Sequence, residues 1–272
     1  MEARLETLVV QGERREAAWR VIMPIAVGLP FLICWELYAR VTASPLVPPP
    51  SRIAAALPGV LGDPATWGGL LSSDVSLLLG YAVALVLGIP LGLLMGRLRR
   101  LDLLLGPVVD LAMVTPMVVV MPVVLMALGL TRQSQIVVIL LFALPFVTVP
   151  CRAGVRAIPA ELIEMPRSFG ASELQLWREV LLPGSIPSIA TGLRLGFGQA
   201  ITGMVVVELT LLAIGIGQVL LHYESSFHYP ELFGIVLLII AQSVVVMAAL
   251  RAVERRFAGG HPSGGLPAVA AA

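Results

Sequence analysis

All 18 basic residues of this 272-residue chain are arginines, and it contains no lysine. A phosphate-binding P-loop needs a lysine to reach the β- and γ-phosphates, and Schiff-base catalysis needs a lysine amine, so neither chemistry can be written with these residues. Gly215-Ile216-Gly217 and Gly196-Phe197-Gly198 lack the third glycine of a dinucleotide loop and follow no strand. His222, Glu224 and His228 come nearest to a metal-ligand set, but at no standard spacing; with His261 the only other histidine, no HExxH helix can be built. Cys34 and Cys151 stand singly in apolar stretches and are expected to pack. The chain is therefore not expected to be an enzyme, to ligate a metal or to bind a cofactor. One ionisable group still demands a reason. Glu208 lies deep in an apolar run, where a carboxyl group must face a polar cavity or a partner; a place on a permeation route and a hydrogen bond to a neighbouring helix both remain open. Arg194, nearer the other end of that run, is expected to reach backbone carbonyls or a polar interface.

The elements that position these residues follow from composition. At 58% hydrophobic, 13% charged and a mean hydropathy of +0.94, the chain would expose far too much apolar surface as a soluble domain, so lipid is its main solvent. The net charge of +1 offers nothing to a nucleic acid. Crossing the hydrocarbon core takes about 20 apolar residues in a helix, which predicts an all-α membrane protein of six spans: Val21–Tyr38, Val75–Met95, Pro107–Leu130, Gln135–Pro150, Ile186–Ile216 and Leu232–Val253. The fifth is longer than a crossing requires and is expected to tilt, to break near Gly198–Gly203 or to begin outside the bilayer. Fourteen arginines fall on one side of this topology and three (Arg40, Arg52, Arg132) on the other, which predicts that both termini are cytoplasmic. No cleavable signal is expected, because residues 1–20 form a polar arm. Residues 39–74 read as an external, extended, proline-rich linker with a short helix at Ile53–Leu57, residues 75–256 as the main body, and 257–272 as a flexible tail.

Within the spans, Gly80, Ala84, Gly88, Gly92 and Gly96 recur every fourth residue and flatten one face of the second, for close packing inside the chain or against a second copy. Pro116, Met117 and Pro122 mark a bend in the third span, and bent spans often line a route. The substantial cytoplasmic segment is Arg152–Ser185. There Pro159 can start a helix, Glu161 and Glu164 suit its first turns, Gly170 can end it, Ser172 can cap a second helix through Trp177 to Leu182, and Pro183 and Pro187 are expected to stop that one.

Glu164-Met165-Pro166, with Gly170, Val180 and Leu182-Pro183 at their intervals, resembles the cytoplasmic "EAA" loop of permease subunits of bacterial ABC importers. Ser76-Leu77, Gly88-Ile89-Pro90-Leu91-Gly92, Gly154-Val155-Arg156, Ser168-Phe169-Gly170-Ala171-Ser172 and Gly192-Leu193-Arg194 are similar to its nitrate/sulfonate/taurine-type branch, over residues 72–256. The resemblance implies a type I (MetI-like) inner-membrane permease that works as a dimer, with two ATPase subunits that hold the ATP and Mg and an external solute-binding protein. It implies that Arg152–Ser185 forms the coupling helices between spans four and five, with Glu164, Arg167, Gly170, Ala171, Ser172, Trp177, Arg178 and Pro183 facing the ATPase, and that the solute is a small anion such as a sulfonate or nitrate. Met165 and Pro166 stand where the family usually has two alanines, and Pro166 is expected to kink or shorten the first coupling helix. A secondary transporter or channel, or a membrane subunit without a transport role, is the alternative; few intramembrane charges and no evident repeat weigh against the first.

Overall fold

The computed structural model describes Met23, residues 26–210 and residues 214–258, with side chains through residue 252. The N-terminal arm, the start of the first predicted span and the tail beyond Ala258 lie outside the described residues. Helices account for nearly all of the rest: α1 (described over 26–42), α2 (Pro50–Gly62), α3 (Pro64–Arg97), α4 (Arg99–Val114), a 3-10 turn (Met117–Val119), α5 (Met121–Leu128), α6 (Arg132–Arg156), α7 (Ala160–Ser168), α8 (Glu173–Leu176), a π turn (Trp177–Leu181), α9 (Leu182–Thr210), α10 (Gly215–Ser225) and α11 (Tyr229–Ala258). Among the described residues four helices are long and apolar enough to cross a membrane, and α4 with α5 makes a fifth if the bent pair counts as one span.

The chain divides into two compact units. The first holds the residues up to Asp63 together with 222–236. In it Ile53 and Val60 of α2 are buried, Trp35 meets Phe233 at 6.1 Å, and the Tyr223 hydroxyl donates to Asp63 at 3.3 Å. Desolvation, with the Asp63 and Glu231 carboxylates nearby, raises the Tyr223 phenol above its usual range, which keeps it a donor.

The second unit is built on α3, α6 and α9. The small-residue face of α3 packs on α6 within the chain: a Cβ on Gly80 would lie 2.8 Å from the Ile136 carbonyl oxygen, one on Gly88 3.0 Å from Val147, and one on Gly96 2.8 Å from the Arg152 carbonyl oxygen. A Cβ on Gly92 would press on Cys151 at 2.7 Å, and Ala84 is fully buried. Lipid supplies no hydrophobic drive between helices, so close approach of small residues sustains this contact. On the other side of α6, Gly192 and Gly203 of α9 sit against Val147 and Phe142. Tyr81 meets Phe197 edge-on at 5.4 Å and donates to the Leu193 carbonyl at 2.7 Å. Asp102 and Asp110 of α4 pair with Arg152, and Asp102 also with Arg156.

Ser185 is fully buried on α9, and among the described residues its hydroxyl has no partner. A desolvated, unpaired hydroxyl costs about 1–3 kcal/mol. Ser185→Ala is therefore expected to raise the melting temperature in detergent, and a fall would mean that the hydroxyl is bonded.

Several expectations need correction. The linker over 39–74 is not extended: α2 fills 50–62, longer than the short helix expected, and α3 starts at Pro64. Four prolines precede or open α2, and Pro50 sits at its start, where no backbone donor is needed. The third predicted span is not one bent helix. It is two helices meeting at 93°, with Pro116 before the 3-10 turn and Pro122 at the start of α5; two prolines six residues apart each remove a ladder bond. The fifth does not break near Gly198–Gly203, since α9 is continuous to Thr210. Nor do Pro183 and Pro187 stop the preceding helix. The π turn widens the ladder there, with the Leu182 N–H bonded to the Trp177 carbonyl, and α9 carries on through both prolines.

Candidate functional site: the α6–α9 hairpin and the buried Glu208

The segment between α6 and α9 folds as two short helices. Pro159 precedes α7, and Glu161 lies in its first turn. Pro166 lies inside α7, which continues two residues further to Ser168, so the helix is not shortened at Met165. The C-terminus closes with a Schellman arrangement: the Gly170 N–H donates to the Arg167 carbonyl and the Ala171 N–H to the Pro166 carbonyl, both at 3.0 Å. Gly170 has φ +84°, and a Cβ there would meet nothing within 4 Å, so the demand for glycine is purely conformational. Ser172 then opens α8 through a reciprocal capping box with Gln175: the Gln175 N–H donates to the Ser172 hydroxyl at 3.3 Å and the Ser172 N–H to the Gln175 Oε1 at 2.8 Å.

Leu176 and Leu181 are fully buried, and Leu181, with half-buried Ile163 and Trp177, packs on Leu93, Val147, Cys151 and Val155. Trp177 thus faces the core. The Glu173 carboxylate receives Arg97 from the end of α3, at 3.1 Å, and also Arg167 of α7. Arg167 is therefore engaged within the hairpin. The outward surface carries Glu164 and Arg178, neither with an ion partner among the described residues, beside Leu162, Met165, Leu174 and Phe169. Phe169 is 85% exposed. In the sequence its one signal is an aromatic residue next to a helix-ending glycine. Ala171 and Pro183 are half-buried.

Glu208 is 1% exposed. Its Oε1 accepts from the Ser73 hydroxyl of α3 at 2.6 Å and from the Gln135 amide of α6 at 2.5 Å, and its Oε2 accepts from the Gly217 N–H at the start of α10 at 3.1 Å. Ser73 in turn accepts the Ile216 N–H at 2.9 Å. One carboxyl group thus joins three long helices and caps a fourth. Nearby on α3, half-buried Asp74 accepts from Gln242 of α11 at 2.5 Å, a pairing that the sequence alone does not mark. Pro116 and Met117 lie at the α4–α5 break, and Met117 packs against the cluster of Met121, Leu125, Val138, Phe142 and Val207, the last next to Glu208 in sequence. His222 and Glu224 are on α10, and His228 follows it.

Residues 88–259 match the model of the family described as binding-protein-dependent transport system inner membrane component, more than half of the chain. The chain belongs to this family. It is the permease subunit of an ABC importer, a membrane component distinct from the ATPase that drives it. The permease is 28% identical over 235 residues to the taurine transport system permease protein TauC of Escherichia coli (strain K12), covering 84% of this chain and 86% of that one. It is 30% identical over 199 residues to the glycine betaine/proline betaine transport system permease protein ProW of the same organism, covering 73% of this chain and 53% of that one. In fold it matches a chain of the methionine ABC transporter MetNI in an inward-facing conformation, with a TM-score of 0.57, 22% identity, and coverage of 71% and 94%.

Proposed function

We propose that two copies of this permease, each with six spans and both termini in the cytoplasm, form the path for a small sulfonate-type solute handed over by an external binding protein. The α7–α8 hairpin is the surface on which a separate ATPase subunit, holding ATP and Mg, docks. The observation that carries this is the hairpin itself: two helices capped at both ends of their shared turn, rooted by Leu176 and Leu181, that turn Phe169, Leu162, Met165 and Leu174 outward. Exposed apolar side chains rimmed by charges are what a partner surface requires. Nucleotide binding closes the ATPase pair, the hairpins follow, and the two permease copies shift from inward- to outward-facing, a population shift limited by the differential affinity of the two states. The arginine distribution supports the orientation, and the similarity to a taurine permease supports the solute class.

Cells expressing the permease with its ATPase and binding protein are expected to accumulate labelled taurine, with competition by other sulfonates but not by glycine betaine. Accumulation that persists without the ATPase would make the chain a secondary transporter. Reporter fusions check the topology: a fusion at the C-terminus should be active only as a cytoplasmic reporter, and one near Gly62 only as an external one.

A further inference from the structure

Two of the three arginines assigned to the external side, Arg40 and Arg52, line one cavity of about 410 Å³, with Ala39, Ala43, Ser44 and Ser51. Its wall is stiff. α1 is helical to residue 42, the chain reverses through Ala43 in the left-handed region at φ +48°, and Pro45, Pro48, Pro49 and Pro50 then hold the approach to α2. Glu36 on α1 sets the arginines apart in function: it accepts the Ser51 N–H at 3.0 Å and the Ser51 hydroxyl at 2.7 Å, and holds the Arg40 Nε and Nη2 at 2.6 Å. Arg40 is thereby oriented with donors left over, while Arg52 has no ion partner among the described residues. Glu36, Arg40 and Arg52 together leave one positive charge. Next to the cavity, Leu37, Tyr38 and Val41 of α1 are exposed apolar surface, which places it where a span leaves the hydrocarbon for the headgroups. External arginines are disfavoured by the positive-inside bias, so two converging on one stiff cavity call for a ligand that rewards them.

We propose that this cavity binds a tetrahedral oxyanion, supplied either by the headgroup phosphate of an anionic lipid or by free oxyanion in the external solution. Guanidinium groups pair with such oxygens through two parallel hydrogen bonds, and the Arg40 and Arg52 forks supply them. The site rests on the proposed orientation, with residues 39–74 external, but not on transport or on the solute, and the reporter fusions test that orientation separately. Melting of the full-length permease is compared in nanodiscs of phosphatidylcholine alone and with phosphatidylglycerol, and in phosphatidylcholine discs titrated with inorganic phosphate or methanesulfonate. Phosphatidylglycerol is expected to raise the melting temperature of the native chain; Arg52→Gln should lose that rise, and Arg100→Gln, a control at another exposed arginine, should keep it. Native mass spectrometry of the same samples should find phosphatidylglycerol retained on the native chain and depleted on Arg52→Gln, a reading that holds even if the variant melts lower. A rise produced by soluble oxyanion, and lost in Arg52→Gln, assigns the site to the free ion. Equal rises and equal lipid retention in the native chain and Arg52→Gln would overturn the proposal.

Discussion

Gly170→Val is expected to insert and to dimerise normally and yet to abolish uptake. A valine Cβ would have room at this position, since nothing lies within 4 Å. The penalty is instead that of a β-branched residue at φ +84°, about 1–3 kcal/mol. The hairpin escapes the strain by moving φ to negative values, which breaks the bonds from Gly170 and Ala171 back to α7, turns Phe169 away and releases the Ser172 cap from its place. The spans are expected to keep their packing, because a side chain added at 170 meets nothing within 4 Å. Pull-down of the ATPase and uptake in cells should both fail for Gly170→Val and largely survive for Gly170→Asn, since asparagine tolerates the left-handed region. Glu164→Lys, a change on the same surface, should have a much weaker effect, as an exposed pair is worth only about 0–1 kcal/mol. Normal uptake with valine at 170 would remove the hairpin from the coupling path.

The second large effect is expected at Glu208, and it is of a different kind. Glu208→Ala leaves the Ser73 hydroxyl, the Gln135 amide and the Gly217 N–H without their acceptor in a space closed to water, at about 1–3 kcal/mol for each donor. The melting temperature in detergent should fall steeply, and uptake should fall in proportion to the amount of folded chain. Glu208→Gln, which keeps the volume and one acceptor oxygen, should lie between the two. If uptake per folded molecule collapses while the melting temperature holds, Glu208 belongs to the solute path and the network is incidental.

What could be read in advance was local. Pro159, Gly170 and Ser172 announce a helix start, a left-handed turn and a cap because each acts on backbone within a few residues of itself, and the structure has all three in those roles. The every-fourth-residue glycines likewise declared a flat face, but its occupant, α6, depends on residues some sixty positions away. Glu208 showed only that a buried acid needs partners. Ser73, Gln135 and Gly217 come from three other elements, and nothing in their types marks them out. The ion pairs that tie α3 to the hairpin, Arg97 with Glu173, and the outward turn of Phe169 are equally matters of tertiary placement. Prolines misled in both directions. Pro183 and Pro187 were expected to end a helix that a π turn lets through, whereas Pro116 and Pro122 were expected to bend one that they split.

The split at Pro116 has a consequence for solvation. Between Thr115 and Val120 the main chain leaves the regular ladder, with only short-range bonds such as Val119 N–H to the Pro116 carbonyl and Val120 N–H to the Met117 carbonyl, while Val119 stays 70% exposed. Hydrocarbon offers no partner for a peptide carbonyl, so irregular backbone at membrane depth persists only where protein covers it or water reaches it. With α4 and α5 crossing as one broken span, as proposed, lipid tails are the one neighbour this stretch cannot have. Whatever stands there, a second copy of the chain or a column of water, is as much a part of the folded state as the helices on either side.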